Sequence, residues 1–240
     1  AKQINETKTL TTLEDIYLPY KPKRKTRASV AKEKGLEPLA LRILAQNRMD
    51  PEQEAAAYIN DKKGVASTGE ALAGARDIIA EMISEDAETR TKMRHHFMQK
   101  ATYKTVLVKG KEEAGLKYKD YFEWEESAKT APSHRVLAML RGEQEGFLKL
   151  NVLPPDEPAV ELLENQFITA RNASADQVQL AIADGYKRLL RPAMETELRA
   201  TIKQKADEEA IKVFAENARQ LLLAAPMGQK NVLAIDPGFR

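Results

Sequence analysis

Along most of the chain, apolar residues recur every three or four positions, the period of helices that bury one face. The first such stretch is Leu13, Ile16 and Tyr17, and Thr11 with Glu14 has capping-box spacing before it. Pro19 and Pro22 predict an extended loop, because each lacks a donor and restricts the residue before it. A helix is expected to restart at Thr26 and stop at Gly35. The next, near Pro38, carries Leu36, Leu39, Ala40, Ile43 and Leu44 on one face. Two helices across one glycine allow a helix-turn-helix shape or an ordinary helical hairpin. Ser67 and Glu70 form a second capping box, followed by the stripe Leu72, Ala75, Ile79 and Ile83.

The period changes in the middle. Tyr103–Lys109 is β-prone, and Phe147–Leu153 alternates Leu148, Leu150 and Val152 with Lys149 and Asn151, so the two predict a small paired ribbon. A short helix with Val136, Leu137 and Leu140 lies between them. Beyond Pro154, Pro155 and Pro158, Ser174 with Gln177 gives a third capping box, opening a helix with Val178, Ala181, Ile182 and Leu189. From Pro192 to Ala225 there is neither glycine nor another proline, which predicts a long spine helix. Val232–Gly238 reads as a buried strand and a turn. A chain that opens on Ala1 and closes one step into a new element is expected to be a piece of a longer protein.

Composition narrows the chemistry. The 240 residues are 42% hydrophobic, enough for a packed core. There is no cysteine, which excludes disulfides, thiol catalysis and Cys-ligated zinc. No run reaches the roughly 20 apolar residues of a membrane span. Charge nearly cancels, 38 basic against 36 acidic, so only local clusters can name a partner. Residues 50–90 hold ten acids against four bases, and 91–120 reverse the sign with eight bases against three acids.

The strongest cluster is Lys21, Lys23, Arg24, Lys25 and Arg27, with Tyr17 and Tyr20 just before it. Such bases on a proline-stiffened loop suit phosphates, the tyrosines could stack on bases, and Thr26 could add amides at a helix start. The same loop could equally be solvated, or pair internally with the acidic block. His95 and His96 are adjacent, so on a helix they diverge and do not chelate one metal. His134 follows Ser133 without a nucleophile motif around it. Trp124, with Tyr121 and Phe122, reads as packing or as a stacking platform. Asp236 ends a hydrophobic strand pattern, as a metal-binding carboxylate does in ribonuclease-H-like enzymes, but a two-metal site needs several carboxylates.

Four segments carry a family resemblance. Leu13-Glu14-Asp15-Ile16-Tyr17-Leu18-Pro19-Tyr20-Lys21-Pro22-Lys23-Arg24-Lys25-Thr26-Arg27 resembles the amino-terminal signature of the Tex (YhgF) family of bacterial transcription accessory proteins. Pro132–Gly142 and Asp184–Pro192 are similar to two further segments of that family. Val232–Arg240 is similar to the opening strand of its YqgF domain, of ribonuclease-H-like fold, and Asp236 would be that strand's aspartate. The resemblance implies a helical amino-terminal part followed by a YqgF domain, helix-hairpin-helix motifs and an OB-fold that binds RNA.

The expectation is a mainly α chain: a multi-helix body with a helix-turn-helix-like hairpin, one small β-ribbon and a long spine helix. Its parts are expected at 1–153, 154–230 and, as a truncated YqgF strand, 231–240. The expected function is a nucleic-acid-binding, transcription-related scaffold without enzymatic activity or cofactor. Lys21, Lys23, Arg24, Lys25, Arg27 and Tyr20 would make the contacts. RNA is the main expected partner, DNA and RNA polymerase are further ones, and the location is cytoplasmic. The alternative is a scaffold that docks a protein and does not touch nucleic acid.

Overall fold

The structure, a computed structural model, describes residues 7, 9–22 and 25–236. These residues form ten α-helices and one three-stranded antiparallel sheet. In chain order they are α1 Leu10–Tyr17, α2 Arg27–Glu33, α3 Glu37–Leu44, α4 Pro51–Ala56, α5 Thr68–Glu85 and α6 Ala87–Lys100. There follow β1 Thr102–Leu107, β2 Glu123–Ser127, α7 Ser133–Gln144, β3 Leu148–Leu153, α8 Asp156–Phe167, α9 Ala173–Gly185 and α10 Arg191–Leu222.

Helix α5 is the centre. Its buried stripe, Leu72, Ala75, Ile79 and Ile83, starts at Ser67, whose hydroxyl accepts from the Glu70 amide at 3.2 Å. Helices α2, α3, α4 and α9 pack around it. The α2–α3 hairpin turns at Gly35 with φ +86°, a left-handed conformation that costs glycine little. Leu36, Leu39, Ala40 and Ile43 then go into the core, as their spacing predicts.

Two of the three predicted caps lie two residues upstream. Thr9, not Thr11, caps α1 by accepting from the Thr12 amide at 3.3 Å. Asn172, not Ser174, caps α9, because its Oδ1 takes the Ala175 amide at 3.0 Å while its Nδ2 donates to the Gln46 carbonyl at 2.8 Å. Ser174 is instead buried within the helix. The loop at Pro19 is also more helical than expected. A 3-10 turn, Leu18–Tyr20, continues α1, with Pro19 in its first turn, where no donor is needed.

The predicted ribbon exists, with β1 antiparallel to β3 and Tyr103 opposite Val152. A third strand, β2, pairs on the other edge of β1 and places Trp124 opposite Thr105. Its sequence, Glu-Trp-Glu-Glu-Ser, hides a strand because only Trp124 and Glu126 turn inward, and they do so halfway. Arg135 of α7 covers the indole at 5.7 Å and pairs with Glu126 at 3.2 Å. Packing, the first of the two readings of Trp124, is what the fold uses.

The spine is longer than predicted. Helices α9 and α10 form one 50-residue helix, about 75 Å at about 1.5 Å per residue. Pro192 should break it, since it lacks a donor and crowds the carbonyl four residues back. A π-turn at Tyr186–Leu190 widens the helix just before it, and the Arg191 amide bonds to Tyr186 one residue further back than usual. Gly185 opens this turn because α5 crosses there. A Cβ at Gly185 would sit 3.2 Å from the Cα, Cβ and carbonyl oxygen of Ala80.

The predicted strand at Val232–Asp236 has no ladder partner, and Val232, Leu233 and Ile235 are exposed. An apolar run does not make a strand where no neighbouring strand takes up its backbone hydrogen bonds. Pro237–Arg240 lie outside the described residues.

Candidate nucleic-acid interface

The described residues of the basic segment adjoin two anchored helices, α1 and α2. Helix α1 buries one residue, Asp15, whose carboxylate accepts from Arg90 Nε at 2.6 Å and Arg94 Nη2 at 2.8 Å. Both arginines project from α6 and also bind Glu197 of α10, Arg94 through Nε at 2.9 Å and Arg90 through Nη2. Two acids and two bases therefore neutralise one another, and the network ties α1 to α6 and the spine. Lys21 opens, exposed, on a cleft of about 670 Å³ bordered by these helices. Tyr20 is 79% exposed, so its ring is free to stack.

Lys23 and Arg24 lie outside the described residues. Beyond them, Thr26 caps α2 reciprocally: its Oγ1 accepts from the Ser29 amide at 3.0 Å and its own amide donates to Ser29 Oγ at 2.8 Å. That cap consumes amides that a phosphate at the helix start would need. Lys25 and Arg27 are exposed and border a second cleft, of about 500 Å³, between α2 and α5. Their ion pairs are long, Lys25 to Glu33 and Arg27 to Asp77, each at 4.0 Å. Asp77 binds Arg188 more closely, at 3.1 Å, and burial raises its pKa although Arg188 and Arg27 oppose the shift. Arg27 thus faces the acidic block as the internal reading expects, but weakly. Lys25 and Arg27 come together, whereas Lys21 faces the other cleft.

Three lysines escaped the sequence reading. Lys34, on the same cleft as Lys25 and Arg27, donates to the Gly64 carbonyl at 2.7 Å. Lys62 and Lys63 sit on the 3-10 turn Asp61–Lys63, exposed, before Gly64. The available signal was two of the three Lys-Gly steps, Lys34-Gly35 and Lys63-Gly64, whose lysines reach each other's left-handed glycine only in space. The second helix of the hairpin, α3, is a poor groove reader. It buries Leu39, Ala40 and Ile43 and shows outward Glu37, Pro38, Leu41 and Arg42, with Arg42 paired to Glu54.

A family model described as Tex central region-like matches residues 46–214. The chain belongs to the Tex family. Protein YhgF of Escherichia coli K12 is 43% identical to it over 250 residues, covering 100% of this chain and 32% of that protein. Transcriptional accessory protein Tex of Neisseria gonorrhoeae is 41% identical over 99% of this chain and 32% of its own length. S1 RNA-binding domain-containing protein 1 of Homo sapiens is 28% identical, over 97% of this chain and 25% of its own length. The chain spans about a third of the length of the bacterial relatives it matches.

Other sites weighed from sequence have plain surroundings in this Tex-family fold. His95 and His134 are exposed, and Ser133 bonds to Glu209 of the spine rather than to a histidine. His96 is half buried, with Nε2 lacking a partner, and burial lowers its pKa, helped by Lys100 and His95. Asp236 is exposed in irregular chain. Among the described residues, no three His, Asp or Glu side chains gather as metal ligands would, and no helix is long and apolar enough to cross a membrane.

Proposed function

We propose that this chain is the helical portion of a Tex-like transcription accessory protein, and that it contacts nucleic acid as a cytoplasmic, non-catalytic scaffold. The observation that carries the reading is the basic loop: Lys21, Lys25 and Arg27 all reach solvent, and the two ion pairs recorded for them are stretched to 4.0 Å. The relatives named for transcription and for an RNA-binding domain support it. Contacts of this kind position a backbone without reading sequence. RNA is the main ligand proposed, with duplex DNA the second.

The test is titration of the chain with single-stranded RNA and duplex DNA at two salt concentrations. If four of the loop bases reach duplex phosphates, log affinity falls against log salt with a slope of about −4. A slope near zero, or unchanged affinity in a Lys21→Ala/Lys25→Ala/Arg27→Ala variant, refutes the site.

One observation favours the second reading, a protein-docking scaffold. Past Ala206, α10 buries nothing, yet Ile211, Phe214, Leu221 and Leu222 share one face and are 67–82% exposed. A contiguous apolar face of this sort is the usual mark of a protein contact. RNA polymerase is the partner proposed for it. Pull-down of polymerase that survives nuclease treatment and is lost on Phe214→Lys supports docking, and capture unaffected by that change removes it.

A further inference from the structure

The turn after α2 and the bridge Asn60–Val65 press two left-handed glycines against each other's lysines. Lys63 Nζ lies 3.3 Å from where a Cβ of Gly35 would be, and Lys34 Nζ lies 3.7 Å from that of Gly64. Lys34 is further fixed by its bond to the Gly64 carbonyl. Lys62 joins them on the same turn. No ion pair is recorded for Lys34, Lys62 or Lys63 among the described residues, and Asp61 is the acid on the turn itself. Lys62 and Lys63 are exposed beside Lys34, so an anion arriving at this turn meets several cations with little acid to compete. Two positive-φ glycines keep this arrangement, since a Cβ at either would be strained.

The seven residues of α2 separate this knob from Lys25 and Arg27 by about 10 Å, roughly three nucleotide steps at about 3.4 Å per step of one strand. We propose that Lys34, Lys62 and Lys63 form a second phosphate-binding point, engaged by a nucleic-acid strand that continues along α2 from Lys25 and Arg27. The inference rests on the nucleic-acid reading above and extends it to a surface which that reading does not include. The ligand class is a phosphodiester backbone, contacted without regard to base.

The experiment compares three proteins: the unaltered chain, Lys62→Gln/Lys63→Gln and Lys21→Gln/Lys25→Gln. Each is titrated with oligouridine and with mixed-sequence duplex DNA across a salt series. Loss of the two knob lysines should weaken oligouridine binding about 25-fold near 0.1 M salt and make the salt slope shallower by about 1.4. Lys62→Arg/Lys63→Arg keeps the charge and should keep the affinity, which separates a phosphate contact from a folding defect. If the loop variant weakens binding while the knob variant does not, the second point is wrong and the nucleic-acid reading stands. Binding by the unaltered chain that is absent for both ligands overturns both. Weakening by the knob variant that the arginine variant shares equally also overturns the proposal.

Discussion

Replacing Asp15 by alanine should release α1 and the basic loop without unfolding the rest. Asp15 is 3% exposed and is the one fully buried residue of its helix, so its ion pairs are the main anchor of α1, with Leu13 and Ile16 half-buried beside them. Removing one partner of a buried ion pair costs about 3–5 kcal/mol. Arg94, however, has 27% of its side chain in solvent, and Glu197 continues to serve both arginines. A discount for that screening leaves about 2–3 kcal/mol, or about a 30- to 150-fold shift in the docking equilibrium of α1. The opening is local because α5, α9 and the spine keep their core. Hydrogen exchange of peptides covering 10–21 should accelerate by that factor, while the global unfolding midpoint moves little. Unchanged exchange in 10–21 together with a large fall in global stability would refute the argument. In that case Asp15 would be a core support and not the tether of the loop.

Three other changes probe the body. Gly185→Ala gains about 1 kcal/mol of helix propensity but presses a methyl on the Ala80 backbone, costing about 1–3 kcal/mol; urea unfolding should show net destabilisation, and a gain in stability would show that the two helices separate freely there. Gln46→Ala removes a long bond from Nε2 to the Leu44 carbonyl at 3.4 Å and three shorter ones, from Nε2 to the Phe167 carbonyl at 2.7 Å and to Oε1 from the Thr169 and Ala170 amides at 2.9 and 3.2 Å. At about 1 kcal/mol for each of the three shorter bonds, the loss is about 3 kcal/mol by chemical denaturation. For His96 the folded pKa is lowered, mainly by burial, so the unfolded chain takes up the proton first. Its contribution is intact above the ordinary value of 6.5 and is lost as pH falls from there toward the lowered folded value. His96→Gln should flatten the fall in melting temperature over that window, and an unchanged profile would show that other groups set it.

Repeating local patterns determined much of this protein by themselves. The stripe from Leu72 to Ile83, the Gly35 turn, the Ser67 cap and the β1–β3 pair follow from periodicity and turn chemistry within a few neighbouring residues. The family was legible too, because its signature lies in contiguous segments such as Leu13–Arg27. Tertiary structure decided the rest, wherever a residue's role depends on something distant in the chain. Asn172 outcompetes Ser174 as a cap partly because Gln46, over a hundred positions away, accepts from its side chain. β2 becomes a strand because β1 offers an edge to a segment of mostly charged residues. Pro192 sits within a continuous spine because a π-turn makes room for it. The basic loop was visible as a run of charge, but its tether to Arg90 and Arg94 was not. Nor was the meeting of Lys34 with Gly64, since thirty residues of intervening chain must fold before the two can touch.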